Sequence, residues 1–241
     1  MQTAKPQLVG TPLSHFTRKI RILFHELGVD YDFVRVTGVL ATETAGYGDN
    51  PLLRVPTLID GADTIIDSDH IARHVVGRHD RGDRLGVRSE QVADLNRLAV
   101  ISGVMANEVV LILAARGGLT GLDGIVYFRK LRGAIDNGLA WLDRDVGSDV
   151  GRDVGSDVGR DVGSDAGRNA AHHPEPAPFD YRDIALVCMW QHIAHYKLVP
   201  DLDRHAHLAA RVARFAARPS VAATAPEAAL AEARAAGWQP A

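Results

Sequence analysis

The spacing of hydrophobic positions changes near residue 80, and that change divides the chain. Gln7 to Gly10 is a short apolar run that reads as a buried strand. From Phe16 to Gly28, Ile20, Ile22, Leu23, Phe24 and Leu27 fall on roughly one helical face. Gly28 suits the residue just past that helix, because glycine tolerates the left-handed conformation there. Tyr31 to Val36 sets Tyr31, Phe33, Val34 and Val36 against Asp32 and Arg35, a strand pattern. Thr37 to Asn50 carries three glycines and no clear period, so it reads as irregular. Thr57 to Ile59 and Thr64 to Ile66 are β-branched runs joined by Asp60-Gly61-Ala62-Asp63, a hairpin signal. Ser68 is suited to cap a helix that runs to about Val76, with Ile71, Val75 and Val76 on one side.

These elements predict a βαβ-ββα unit over residues 1–80. Arg78 to Arg88 is polar and contains glycine, so residues 81–88 read as a linker. Beyond it the strand signal disappears. Helices are predicted over Ser89 to Arg116 (capped by Ser89), Ile125 to Leu142, Asp183 to Lys197, Leu202 to Ala217 and Pro226 to Ala236. The fold class is therefore α+β in the first domain and an all-α bundle over residues 89–241. Asp180 and Asp183 bracket a start signal for the Asp183 helix, read as structural. A low-complexity insert occupies 145–178. Within it, Asp-Val-Gly-Ser-Asp-Val-Gly-Arg occurs three times between Asp145 and Arg168, the last copy with Ala166 for valine. One glycine in every four residues disfavours a helix, so a solvated loop is expected.

Composition narrows the function classes. Lys plus Arg is 27 and Asp plus Glu is 30 in 241 residues, so no basic excess exists to grip nucleic acid. Cys188 is the only cysteine, which excludes an intrachain disulfide and a cysteine-based zinc site. Beside Met189 and Trp190 it reads as buried and inert. Residues 1–6 lack a signal-peptide core, and no apolar run of about 18 residues is apparent, so a cytoplasmic location and no membrane span are expected. His70 with His74, and His192 with His195, stand at helical spacings. Neither pair has a third ligand in its neighbourhood, so no metal site is expected.

The candidate chemistry lies in two segments. Gly10-Thr11-Pro12-Leu13-Ser14-His15-Phe16 leads from strand into helix, which puts the Ser14 hydroxyl beside unpaired N–H groups and the positive end of the helix dipole. Such a place stabilises an anion, although a plain helix cap is the simpler reading. The second segment, Asn50-Pro51-Leu52-Leu53-Arg54-Val55-Pro56, is followed by Asp67-Ser68 at a helix start. Together with the helical second half, these motifs resemble the soluble glutathione transferases of serine type.

That resemblance implies a thioredoxin-like first domain and assigns roles by position. Ser14 falls where the family holds its thiol-activating hydroxyl, and Pro56 where it has a cis proline. Val55 would pair its backbone with the cysteinyl part of glutathione. Asp67 and Ser68 would hold the γ-glutamyl end, and Arg54 would meet the glycyl carboxylate. Two departures stand out: Asp67 replaces the usual Glu, and His15 replaces a proline common in bacterial relatives. The plainer reading of His15 is an exposed loop histidine, and Arg18-Lys19-x-Arg21 reads as a solvated basic face. The electrophile pocket is expected between the domains, lined by His15, Met105, Glu108, Val109 and Ile112.

The implied activity is conjugation of the glutathione thiolate to a small apolar electrophile, a detoxification reaction. The resemblance also implies glutathione as co-substrate, no metal or redox cofactor, and a homodimer, and no nucleic-acid or membrane partner is expected. Alternatives are a binding or regulatory protein on the same scaffold, or another glutathione-dependent reaction such as peroxide reduction, dehalogenation or isomerisation. A different low-molecular-weight thiol is a further alternative.

Overall fold

A computed structural model describes residues 5–155 and 178–238. The first domain holds β1 (Gln7–Gly10), α1 (His15–Leu27), β2 (Asp32–Arg35), β3 (Thr57–Asp60), β4 (Asp63–Ile66) and α2 (Ser68–His79). The strands form one mixed sheet in the order β2-β1-β3-β4. β1 runs parallel to β2, and the β1/β3 and β3/β4 pairs are antiparallel. The Asp-Gly hairpin forms as expected, with Gly61 at φ 66°. Thr37 to Asn50 holds only a short 3₁₀ turn at Thr44–Tyr47. Gly28 ends α1 in the left-handed conformation.

Gly10 is needed where β1 turns toward α1. A Cβ there would lie 2.3 Å from Cγ2 of Thr17, so only glycine lets the strand end pass beneath the helix.

The helical part comprises α3 (Val92–Arg116), α4 (Val126–Gly155), α5 (Tyr181–Tyr196), α6 (Ala206–Ala216), α7 (Pro219–Ala222) and α8 (Pro226–Ala235). On α3, Ile101, Val104, Met105, Glu108 and Leu111 form the buried stripe, at the i, i+3, i+4, i+7 spacing of one helical face. Gly138 lets α4 approach this stripe, because a Cβ there would sit 2.5 Å from Val104 Cγ2. Asp180 caps α5 in a reciprocal capping box with Asp183, as the sequence indicated. One hydrophobic cluster runs through both halves, from Leu8 and Ile20 to Ile184 and Val212.

Several expectations change. α3 starts at Val92 without a side-chain cap; the Ser89 hydroxyl instead donates to Asp94, 2.6 Å away. The first octad is helical, since α4 continues to Gly155. Tertiary contacts override the weak propensity of its glycines. Asp145 pairs with Arg97 at 2.5 Å, and Val146 is buried. The repeat beyond 155, together with His172-His173, lies outside the described residues. The linker is held in place: Leu85 and Val87 are buried, and Asp83 accepts from the N–H groups of Val87 and Arg88, each at 2.8 Å.

By length and composition α3 also passes as a helix able to cross a membrane, with mean hydropathy 2.1 over its most apolar window. Ser102, Gly103, Asn107 and Glu108 interrupt its apolar letters, so it holds no unbroken run of about 18 uncharged apolar residues. Here α3 packs against α4 and α5.

Candidate functional site

Sheet register brings the two candidate segments together. Val9 stands opposite Thr57, and Thr57 opposite Ile66, so the end of β1, the start of β3 and the end of β4 form one line across the sheet. Strands lie about 4.8 Å apart, which places these three ends within about 10 Å. From them emerge the loop to Ser14, the turn Asn50–Pro56 and the pair Asp67-Ser68.

Ser14 is the N-cap of α1, half-buried, with φ −67° and ψ 115°. Its Oγ accepts from the Thr17 N–H at 3.2 Å. That bond uses an oxygen lone pair, so the hydroxyl proton remains able to donate. The capping role and the anion-stabilising role are therefore compatible at one atom.

The Asn50 side chain shapes the neighbouring turn. It donates to Arg54 O at 2.9 Å and to Thr57 Oγ1 at 3.3 Å, and it accepts from the Leu52 N–H at 2.9 Å. The Val55–Pro56 bond is cis. The β1/β3 and β3/β4 ladders reach only as far as Thr57, so the half-buried Val55 has no part in them. The Arg54 side chain is exposed.

At α2 the cap is Asp67 rather than Ser68. Its Oδ1 accepts from the N–H groups of Asp69 and His70, at 2.9 and 3.2 Å. Asp67 has φ 75° and ψ 129°, a sparsely populated conformation for a residue with a side chain. The exposed carboxylate uses one oxygen for the cap, and Ser68 is buried beside it.

Beneath this edge the basic residues of α1 are buried, contrary to the solvated face expected for them. Lys19 is wholly buried, and its Nζ meets Asp69 Oδ1 at 2.6 Å. The Tyr181 hydroxyl donates to the same carboxylate at 2.7 Å. Burial, and then Asp69, push the Tyr181 phenol well above its ordinary range. Arg18 donates to Thr224 Oγ1 and Val221 O. Arg21 pairs with Glu232 at 2.7 Å. These cations hold α2, α5 and the C-terminal helices against α1 rather than facing solvent.

The expected electrophile pocket is also revised. His15, Met105 and Glu108 are 2%, 0% and 0% exposed, and Val109 and Ile112 are half-buried. The His15 ring lies 3.8 Å from that of His192, and its Nε2 donates to Met105 O at 3.1 Å. Glu108 Oε2 lies 2.5 Å from His192 Nδ1. Burial lowers His15 to about 3, raises Glu108 and lowers His192. His15 is thus an interdomain contact. His74 pairs with Asp60 at 2.9 Å, and His195 approaches Glu227 at 3.6 Å. Cys188 is fully buried, and burial pushes its thiol up to about 11, in line with the inert reading. No local pattern announced the Lys19–Asp69–Tyr181 or His15–Glu108–His192 groupings, since each joins helices far apart in the chain.

Residues 8–83 match the family model for the glutathione S-transferase N-terminal domain. The α/β unit therefore matches that N-terminal domain, and the chain as a whole shares the two-part fold of solved glutathione transferases. A glutathione S-transferase from Methylobacillus flagellatus with bound glutathione is 22% identical with a TM-score of 0.70, covering 92% of this chain and 100% of its own. A glutathione transferase family member from Pseudomonas fluorescens with bound glutathione is 22% identical with a TM-score of 0.72, covering 92% and 99%. A homolog from Drosophila mojavensis with bound glutathione is 20% identical with a TM-score of 0.67, covering 98% of each chain. No curated protein matches the sequence.

Proposed function

We propose that the chain is a glutathione transferase of serine type. The observation that carries this reading is the convergence of Ser14, the Val55–cis-Pro56 turn and Asp67-Ser68 along one register line of the sheet. An extended tripeptide spans at most about 10 Å, the width of that line. Its cysteinyl unit would pair with the Val55 backbone as an added strand does. The Asp67 carboxylate would meet its ammonium, and the N-terminus of α2 at Ser68 its γ-glutamyl carboxylate. Arg54 would meet the glycyl carboxylate. The thiol would then lie at the α1 N-terminus, where the Ser14 hydroxyl donates to the thiolate that attacks an electrophilic carbon. The bond formed is carbon to sulfur, the leaving group departs with its electron pair, and no metal or redox cofactor takes part.

The cytoplasm, with its reduced thiol pool, is the compartment that suits this chemistry. Exposed Val92 and Leu95 on α3, and Val126 and Tyr127 on α4, support a homodimer packed through these helices. Conjugation to an aryl halide by wild type and Ser14→Ala tests the activity. A drop of about tenfold at pH 6.5 corresponds to one unit of lost thiol acidification, about 1.4 kcal/mol. Unchanged rates would remove Ser14 from the mechanism. Asp67→Ala should weaken glutathione binding more than it slows turnover; the reverse would refute its assignment.

One observation favours the second reading, a glutathione-binding protein without transferase activity. His15, Met105 and Glu108 fill space where a co-substrate was expected to enter. Glutathione binding with no turnover across a broad panel of electrophiles would select it.

A further inference from the structure

The cluster of His15, Glu108 and His192 joins α1 to α3 and α5 and has no part in the thiol chemistry above. One donor atom from each residue lies within 4.8 Å of the other two. Two polar atoms of the group are buried without a hydrogen-bond partner, His15 Nδ1 and Glu108 Oε1. A buried polar atom left unpaired costs about 1–3 kcal/mol, so two of them in one place call for an explanation.

Tautomer geometry narrows the choice. Met105 O can only accept, so His15 Nε2 carries the ring proton and Nδ1 presents a bare lone pair. A backbone carbonyl that holds the far N–H of a histidine is the usual outer-shell support of a metal ligand. The 2.5 Å contact between Glu108 Oε2 and His192 Nδ1 holds one proton between an oxygen and a nitrogen that are both good donors to a cation.

We propose that His15, Glu108 and His192 form a two-histidine, one-carboxylate site for a divalent transition ion of the zinc type, pinning the first domain to the helical bundle. Binding is an exchange: the ion enters, and the proton shared by Glu108 and His192 leaves to solvent. His15 Nδ1, His192 Nδ1 and a Glu108 oxygen become the ligands. Nitrogen and oxygen ligands lie about 2.0–2.2 Å from zinc and so about 3.4 Å from one another; the 4.8 Å spread closes by about an ångström while the 2.5 Å Glu108–His192 contact opens by about as much. The set suits zinc, cobalt or iron, and a hard ion such as magnesium poorly.

Positive charge opposes the ion. Lys19 acts on His15, while Arg116 and Arg18 act on His192. Asp69 neutralises Lys19, and Arg116 donates to the Tyr196 hydroxyl at 3.0 Å. These cations hold the affinity below that of a four-ligand structural site. Because the site is closed, loading accompanies folding or transient separation of the two halves.

The test uses the full chain. Metal content is measured as purified, and protein stripped by a chelator is titrated with cobalt(II) over hours. The proposal expects about one ion per chain, with visible ligand-field absorption of a low-symmetry nitrogen–oxygen site and a chelator-dependent loss of thermal stability. Glu108→Gln and His192→Gln should each weaken cobalt binding by more than the roughly 10–100-fold typical of outer-shell changes. His70→Ala/His74→Ala, away from the cluster, should bind as wild type. Should either cluster variant fail to fold, His15→Gln provides the same comparison, and X-ray absorption on the wild type reads the ligands directly. Absence of saturable one-to-one binding overturns the proposal, as does binding that survives the cluster substitutions or disappears with His70 and His74.

Discussion

Asp69→Ala is expected to destabilise the protein far more than Lys19→Met, although the two residues share one ion pair. Lys19 is 0% exposed at its side chain and Asp69 is 33% exposed. Removing Asp69 leaves an ammonium in the interior whose neighbours are the rings of Phe16 and Tyr181, at 5.9 and 5.2 Å. It also deprives the buried Tyr181 hydroxyl of its 2.7 Å acceptor. Breaking a buried pair from one side costs about 3–5 kcal/mol. Water access on the Asp69 side argues for the lower end, about 3 kcal/mol. In Lys19→Met the stem is kept, no charge remains inside, and Asp69 retains the Tyr181 donor and solvent, so the cost is below about 1.5 kcal/mol. With a urea slope near 3 kcal/mol/M, Asp69→Ala lowers the unfolding midpoint by about 1 M and Lys19→Met by less than half of that. Urea titrations followed by far-UV circular dichroism measure both. Equal shifts, or a larger one for Lys19→Met, would refute the view that the buried partner dictates the cost.

Gly10→Ala should cost upward of about 2 kcal/mol, because its Cβ overlaps the Thr17 side chain at 2.3 Å, and Thr17→Ala in the same chain should recover much of the loss in thermal melts. A deletion starting at Asp145 should lower the melting temperature, since it removes an Arg97 partner and buried Val146. Burial pushes the Glu26 carboxyl up, but bonds from Arg218 and Ser220 outweigh it and hold the group below its ordinary 4.5. Its contribution is therefore present above pH 4.5 and lost as pH falls below that value, so Glu26→Gln should flatten the acid limb of a stability profile.

What the sequence revealed was local. The Asp-Gly hairpin, the Gly28 stop and the Asp180 capping box each rest on neighbouring residues, and each appears at its expected place. Ser68 is the expected cap of α2 and Asp67 the observed one: both residue types cap well, and only the backbone turn at Asp67 decides between them. Arg18, Lys19 and Arg21 looked solvated because their carboxylate and carbonyl partners lie on α2 and on segments about 200 residues away. The helical first octad shows that glycine content loses to a salt bridge and a buried valine when a long helix already leads into it. The same limit applies to the candidate site. Ser14, Val55 and Asp67 were legible as separate motifs, whereas their common edge is a property of strand register.

The most direct measurement is the acidity of the glutathione thiol on the protein, followed by thiolate absorbance as pH is raised with the tripeptide bound. The account predicts a thiol pKa at least about one unit below that of free glutathione in the wild type, and return of most of that difference in Ser14→Ala. A bound thiol as weakly acidic as the free one, or an acidified thiol indifferent to the loss of the Ser14 hydroxyl, would contradict it.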